Sequence, residues 1–283
     1  MLVEGNSIRG IERMTGVSKT AILKLVADLG TTCADYHNKH VRNLKPKRLE
    51  VDEIWSYVGC KQKNADVAKL AKGCGDAWTW VAFDPDTKLV ISYAVNKRDE
   101  PTATRFLADC ASRIASRVQM TTDGLRLYPE AIEKAFGCDI DYVMLRKFEV
   151  PQNAGHQNTS SGNKKISIRS VISGNPDLAY ATTSHVERQN LNMRMAMRRF
   201  IRKTNGFSKT LEQHRNAVAL NFMYYNFCWQ HKSLRVSPAM EAGLTKHIWG
   251  MDELVALVPK PVIGPSLKDR DILLSALAKL ELS

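Results

Sequence analysis

The chain has 283 residues, of which 44% are hydrophobic and 25% charged, values typical of a globular protein with a real core. Its 41 lysines and arginines outnumber its 29 aspartates and glutamates, so the formal net charge is +12, which favours a polyanionic partner such as nucleic acid. Because no apolar run approaches about 18 residues and no signal-peptide pattern opens the chain, we expect a cytoplasmic protein without a membrane partner. The six cysteines form no C-x-x-C pair and are interpreted as reduced thiols.

Residues 1–48 are predicted to form a helix-turn-helix segment followed by a basic linker. Helical spacing over residues 7–14 breaks at 15–18, and Ser18 is a good N-cap for a second helix that should end at Gly30. The small core of this unit would consist of Ile8, Ile11, Val17, Ile22, Leu25 and Val26. Lys19, Thr20 and Lys24 would then face outward as candidate DNA contacts, although a helical hairpin without a DNA-binding role has the same pattern. A complete unit needs a third, preceding helix, so we expect the start to be truncated.

Two features follow the second helix. Cys33, His37 and His40 share one helix face and would suit zinc, but no fourth ligand is evident, and an ordinary surface helix is the preferred interpretation. Six of the ten residues from 39 to 48 are lysine, arginine or histidine. Lys45, Lys47 and Arg48 are therefore candidate phosphate contacts of a linker that crosses DNA, with a merely solvated linker as the alternative.

Residues 49–58 are predicted to form a strand with a carboxylate near its centre. Side chains alternate along a strand, so Asp52 should point away from Glu53 and to the same side as Glu50. Because burying an unpaired carboxylate is costly, Asp52 needs a partner. A sheet rim or a salt bridge would satisfy it, and so would a metal ion if further carboxylates of the chain come close.

The segments after this strand predict an α/β fold. Segments 78–83 and 89–95 read as strands joined by Asp-Pro-Asp-Thr, so three strands should form an antiparallel meander. A helix over 101–116, a strand ending at Asp123, a helix over 128–136 and a strand over 140–145 should follow. This order indicates a parallel crossover unit, and together the elements predict a ribonuclease H-like mixed sheet flanked by helices. By itself, Asp123 could equally be an ordinary turn aspartate.

The rest of the chain is predicted to be a long connection and then helices. Residues 148–183 are rich in Ser, Asn and Gly, so they are interpreted as a functional or disordered connection. Glu187 falls in the first turn of a helix that starts near Ser184, where helix capping would also explain a carboxylate. Arg188, Arg194 and Arg198 make this helix basic. A core helix over 211–231 and shorter helices over 238–243, 251–257 and 268–280 should follow, so the predicted units are 1–48, a catalytic domain 49–232 and a helical extension 233–283.

Several runs of this sequence resemble one family over nearly the whole chain. They are VDEIWSYVG, WTWVAFDPDTKLV, TTDG, SHVERQNLNMRMAMRRF and HRNAVALNFMYYNFCWQHKSLRVSPAMEAG. These runs look like the DDE transposases of the family named after the first bacterial insertion sequence. The resemblance implies a ribonuclease H-like catalytic domain in which Asp52, Asp123 and Glu187 are the catalytic residues and the ligands of two Mg²⁺ ions, for which Mn²⁺ can substitute. His185 and Asn190 are candidates to support these ligands, with a capping or surface role equally open for His185.

The chemistry of the three carboxylates agrees with that resemblance. Two divalent ions with oxygen ligands suit in-line displacement at a DNA phosphate, and we expect Asp52 to bridge the ions while Asp123 binds one and Glu187 the other. The expected function is cleavage of transposon-end DNA and its transfer to target DNA by a bacterial, nucleoid-associated protein. Because two DNA ends must be handled together, we also expect at least a homodimer. A silent DNA-binding repressor and a stand-alone nuclease of the same fold remain alternatives, and the sequence does not reveal the DNA sequences involved.

Overall fold

Six strands form one mixed sheet in the computed structural model, which describes residues 1–150, 164–201 and 204–259. The strands are β1 (Arg48–Val58), β2 (Gly75–Phe83), β3 (Val90–Asn96), β4 (Val118–Thr122), β5 (Ile140–Val150) and β6 (Lys164–Ser173). Their order across the sheet is β3-β2-β1-β4-β5-β6. The meander β1-β2-β3 is antiparallel, β4 and β5 are added in parallel, and β6 pairs antiparallel with β5. The prediction of a mixed α/β sheet flanked by helices is therefore confirmed.

Helices pack on both faces of this sheet. The helices of the described residues are α1 (Ile8–Thr15), α2 (Lys19–His40), α3 (Val67–Ala71), α4 (Glu100–Ser112), α5 (Tyr128–Phe136), α6 (Ser184–Ala196), α7 (Leu211–Met223), α8 (Pro238–Glu241) and α9 (Met251–Ala256), of which α3 has no buried residue. Two buried clusters separate the faces: Val51 of β1 belongs to the cluster with α4 and α5, and Ile54 to the cluster with α6. Because residues three apart on a strand point to opposite faces, β1 is buried on both sides.

The second helix is longer than the sequence predicted. We expected α2 to end at Gly30, but it continues to His40, and Gly30 lies inside it. A Cβ atom at Gly30 would lie 2.4 Å from the Cα of Asn216 in α7. Glycine is therefore present because the two helix backbones approach closely, and it does not act as a helix stop. The turn before α2 matches its prediction, since Gly16 ends α1 with a φ of 73°.

Two predictions for the first 48 residues are wrong in detail. Val17 and Leu25 were expected in the core of the helix pair, yet they are 46% and 43% exposed. Cys33 and His37 were expected on a surface helix, yet both are buried. The Nε2 atom of His37 lies 3.2 Å from the carbonyl oxygen of Val90 in β3. The zinc alternative also finds no support, because no metal-binding group in the described part of the chain includes these residues.

The segment expected to be a long connection contains a strand. β5 continues to Val150, five residues beyond the predicted end at 145, and β6 covers Lys164–Ser173. Apolar residues at Ile166 and Ile168 alternate with polar ones, which is a strand pattern that the Ser-, Asn- and Gly-rich surroundings obscured. The helix predicted over 268–280 lies outside the described residues. Within the described ranges, no helix is long and apolar enough to cross a membrane.

Candidate active site

Two aspartates meet where β1 and β4 separate. The parallel pairing of these strands ends at Val51 and Thr122, which are followed by Asp52, still within β1, and by Asp123, directly after β4. The backbone N–H of Leu125 donates to Asp123 Oδ1 at 3.0 Å and fixes the turn after β4. The register of two neighbouring strands therefore brings together two carboxylates that are 71 positions apart in the sequence (123 − 52).

Glu53 is the third carboxylate of this group. One carboxylate oxygen from each of Asp52, Glu53 and Asp123 lies within 4.8 Å of the others, the one such group of three among the described residues. Glu53 is buried, accepts a hydrogen bond from Tyr128 Oη at 2.7 Å, and accepts another from Arg98 Nε at 2.6 Å. Strand alternation placed Glu53 on the far side of β1 from Asp52, so this role was not predicted, although its position directly after Asp52 was a usable signal.

The close carboxylates disfavour one another's charge. The pKa of Asp52 is raised to about 7, mainly by burial and in addition by the negative charges of Glu53 and Asp123. Burial is also the main cause of the raised pKa of Glu53, while its hydrogen bond from Tyr128 acts in the opposite direction. A divalent cation among these oxygens would relieve that repulsion, and hard oxygen ligands suit Mg²⁺ or Mn²⁺.

Glu187 lies on the wall of the same cavity. This cavity has a volume of about 800 Å³, and Asp52, Asp123 and Glu187 all line it. The Glu187 carboxylate accepts a hydrogen bond from Thr183 Oγ1 at 2.7 Å and forms an ion pair with Lys147 of β5. It also contributes to the raised pKa of Asp52. Glu187 thus faces the two aspartates across the cavity, held by a lysine, and is not one of the three closest carboxylates.

Glu50 fixes the start of the helix that carries Glu187. The backbone N–H groups of His185 and Val186 donate to Glu50 Oε2 at 2.8 and 2.9 Å, and His185 Nδ1 lies 2.7 Å from Oε1. Thr183, at the N-cap position, makes no side-chain capping bond, so the buried Glu50 takes that role. Strand β1 therefore supplies Asp52 and also anchors α6. This role of Glu50 was not predicted from the sequence, although the residue lies on the Asp52 side of the strand.

Asn190 contacts Asp52 directly. Its Nδ2 atom donates to Asp52 Oδ2 at 2.8 Å, and its own Oδ1 atom is buried with no partner among the described residues. His185 is held by Glu50 and does not line the acidic cavity. Of the two candidate supporting residues, Asn190 therefore contacts a predicted metal ligand, whereas His185 contacts Glu50, which holds the start of α6.

The cations around the acidic cavity differ from those that we predicted to bind DNA. The cavity is lined by Arg98, Arg126, Arg146 and Lys147. Of the predicted DNA contacts, Lys19, Thr20, Lys24, Lys45, Lys47, Arg188 and Arg198 are exposed, whereas Arg48 and Arg194 are partly buried. Arg48 pairs with Asp86, and its guanidinium lies 4.4 Å from the ring centre of Tyr180. Arg126, Arg146 and Lys147 were not predicted from the sequence. Arg126 lies shortly after the end of β4, and Arg146 and Lys147 come directly after residue 145, where β5 was predicted to end.

The fold and cavity define a basic α/β protein with a clustered set of carboxylates. Comparisons with known sequences show which proteins it is similar to. No family model matches the chain. It is 24% identical over 178 residues to the Insertion element IS1 2 protein InsB of Escherichia coli (strain K12), an alignment that covers 62% of this chain and 75% of the relative. It is 23% identical to the Insertion element IS1 protein InsB of Shigella flexneri, with 62% and 95% covered. Both relatives are named as proteins of an insertion element.

A comparison with solved structures found the piggyBac transposase in a synaptic complex with hairpin DNA, determined by cryo-EM. The TM-score is 0.35 and the sequence identity 13%. The alignment covers 80% of this chain and 60% of that chain, so it spans less than two thirds of the piggyBac structure.

Proposed function

We propose that this chain is a DDE transposase that binds the ends of an insertion sequence, cleaves the DNA strand and transfers it to target DNA. The observation that carries the proposal is the cavity in which Asp52, Asp123 and Glu187 face one another. The likeness to InsB proteins of insertion elements supports the same function. A mere DNA-binding repressor would gain nothing from buried, mutually repelling carboxylates.

A ribonuclease H-like catalytic domain is part of this proposal. An antiparallel meander is extended by parallel strands in the order β3-β2-β1-β4-β5, and the acidic residues lie on β1, directly after β4, and on α6. This order agrees with the fold that the sequence predicted. The proposed domain covers residues 49–232, with the helix-turn-helix segment 1–48 before it and the helical extension 233–283 after it.

The donor set fits two divalent cations. Asp52, Asp123 and Glu187 would hold the ions, as the resemblance implies, and we add Glu53 as a neighbouring carboxylate. When bound, Mg²⁺ or Mn²⁺ would stabilise the attacking and leaving oxygens during displacement at phosphorus. The amide of Asn190 orients Asp52, and Glu50 holds α6 so that Glu187 faces the two aspartates.

Basic residues are proposed to bind the DNA backbone. Arg98, Arg126, Arg146 and Lys147 line the cavity, where they can hold the phosphates next to the scissile bond. We propose that Lys19, Thr20 and Lys24 on α2 contact the element ends. The basic segment that includes Lys45 and Lys47 would follow the backbone, since both side chains are exposed. Two ends must be joined in one event, so we propose a homodimer as the active form, working on chromosomal DNA in the cytoplasm.

The test is cleavage of DNA that carries the terminal sequences of the encoding element. We expect the purified chain to nick these ends with Mg²⁺ or Mn²⁺ and to join them to a target plasmid. Asp52→Asn, Asp123→Asn and Glu187→Gln should each lower the rate roughly 100-fold or more. Asp139→Asn, at an exposed aspartate outside the cavity, is the control and should leave the rate unchanged.

The products separate the remaining alternatives. Cleavage without joining would identify a stand-alone nuclease of the same fold. DNA binding with steep salt dependence but no metal-dependent cleavage would identify a repressor. Cleavage that is equally fast in all three acidic variants would show that the site is wrongly assigned.

A further inference from the structure

α6 also borders a second cavity. Its volume is about 710 Å³, and among the α6 residues that line it are His185, Arg188 and Asn192. Glu187, directly before Arg188, lines the acidic cavity. A helix has about 3.6 residues per turn, so neighbouring residues point in directions roughly 100° apart. α6 therefore borders both cavities, and the second one has a volume typical of small-molecule sites.

Aromatic rings line the second cavity. Trp229 is 42% exposed, and its ring centre lies 6.2 Å from that of Tyr224, with the two planes inclined at 68°. Tyr225 and Phe83 complete the aromatic part of the lining. A half-exposed indole in a concave site offers a flat apolar face, and such faces bind planar rings by stacking.

The charges around these rings favour an anion. Arg188, Lys88 and Lys232 line the cavity, against a single lining carboxylate, Glu4. Glu4 accepts a hydrogen bond from the hydroxyl of Tyr224 at 3.2 Å. The side chains of Arg188 and Lys232 are exposed and form no hydrogen bond or ion pair with any residue that the structure describes. Both cations are therefore available for a phosphate.

Amide groups complete the lining. Gln189, Asn192 and Asn221 border the cavity, and Asn192 Nδ2 donates to Gln189 Oε1 at 3.2 Å. An amide side chain has two N–H donors and an oxygen acceptor, so this pair keeps further hydrogen-bonding capacity for the edge of a ligand. A nucleotide combines a planar base that has a polar edge with a phosphate, so it could use the aromatic, amide and cationic groups of this lining.

We propose that the second cavity binds one unpaired nucleotide of the DNA strand, with its base against Trp229 and its phosphate near Arg188 and Lys232. This inference rests on the proposed DNA-handling function but concerns a different cavity. A base within a duplex is covered by its stacked neighbours, so only an unpaired or extruded nucleotide could enter. Because α6 is about 10 Å across, a strand that crosses its first turns brings a nucleotide close to the scissile position into reach of this cavity.

The test uses the full chain carrying Asp52→Asn, so that binding is measured without cleavage. The probe is a single-stranded oligonucleotide of about 12 nucleotides with one 2-aminopurine at its centre. We expect the fluorescence to be quenched on binding, because the base stacks on Trp229. Trp229→Ala should weaken binding roughly 5- to 100-fold and remove the quenching, whereas Trp229→Phe should restore most of both. Met251→Ala is the control, since it removes a similarly exposed apolar side chain outside the cavity.

A second variant keeps the proposal testable if Trp229→Ala does not fold. Lys232→Ala removes an exposed cation of the lining and should weaken binding while quenching persists at saturation. Equal binding and equal quenching in Trp229→Ala, Lys232→Ala and the parent would overturn the proposal. Displacement of the oligonucleotide by equimolar deoxyadenosine monophosphate would also overturn it, because the occupant would then be a free nucleotide.

The outcomes separate this proposal from that of a transposase. Metal-dependent end cleavage by the unmodified chain, together with no effect of Trp229→Ala on binding, would overturn the nucleotide site alone. A clear Trp229 effect in a chain that does not cleave DNA would support the nucleotide site and overturn the enzyme.

Discussion

The acidic cavity is built from two kinds of support, a sheet and a helix. Asp52 belongs to β1 and Asp123 follows β4, so the register of two hydrogen-bonded strands determines their separation. Glu187 lies on α6, whose position depends on the contacts of the helix start with Glu50. The sheet therefore holds its carboxylates close together, while the helix holds its carboxylate at a distance that side-chain contacts determine.

This difference indicates how the site changes when cations bind. Lys147 forms an ion pair with Glu187, whereas no cation among the described residues pairs with Asp52, whose pKa is raised by burial, Glu53 and Asp123. The strand side of the cavity (Asp52 and Asp123) is therefore held in place by the sheet and carries carboxylates that repel one another. On the helix side (Glu187), an ion pair neutralises the carboxylate. Variants that act on one side only should show which side limits function and stability.

The largest effect is expected at Glu50, the β1 residue that holds the start of α6. Glu50→Ala should lower the free energy of unfolding by about 2–4 kcal/mol, because two buried backbone N–H groups at the start of α6 lose their acceptor. Chemical denaturation at pH 7 measures this change. Ser184→Ala is the matched control at the same helix start, because this side chain is exposed and does not contact Glu50, and the substitution should cost less. An equal loss in both variants would contradict the role of Glu50.

A smaller effect is expected from removing the charge of Asp52. A carboxyl whose pKa rises from 3.8 to about 7 on folding binds more protons in the folded than in the unfolded state between those values. The free energy of unfolding therefore falls as the pH rises through that window, and the full cost is present at pH 8. Asp52→Asn should stabilise the metal-free protein at pH 8 by roughly 1–3 kcal/mol.

The pH dependence and the response to metal test whether Asp52→Asn stabilises the protein as expected. The advantage of Asp52→Asn should shrink as the pH is lowered from 8 towards 5, and added Mg²⁺ should stabilise the parent more than the variant. Thermal unfolding with chelator and with Mg²⁺ measures both effects, and Asp139→Asn serves as the control. If the variant were less stable than the parent at pH 8 without metal, the carboxylates would not repel one another as described.

The sequence predicted the strand side better than the helix side. Alternating apolar residues and turn chemistry identified β1, β2 and β3, and the Asp-Gly after β4 located Asp123, because these signals are local. The capping role of Glu50 and the Lys147–Glu187 ion pair join segments 135 and 40 positions apart, and no local pattern contains them. Gly30 illustrates the same limit: its local meaning was a helix end, and its actual cause is the approach of α7.

The smallest expected effect tests the ion pair on the helix side. Lys147→Gln removes the cation that pairs with Glu187 while keeping a polar side chain near Thr183. Both partners are partly exposed, so the pair is worth no more than about 1 kcal/mol, and without DNA the affinity for Mn²⁺ should rise only 2- to 5-fold. Isothermal titration calorimetry measures that change, and Lys134→Gln, at another exposed lysine paired with glutamates, should leave the affinity unchanged. The same Lys147→Gln variant should bind DNA more weakly, because a cation is lost from the cavity wall. A Mn²⁺ affinity equal to or below that of the parent would mean that Glu187 is not a ligand for which lysine and metal compete, and the helix side would then have to be assigned to binding DNA alone.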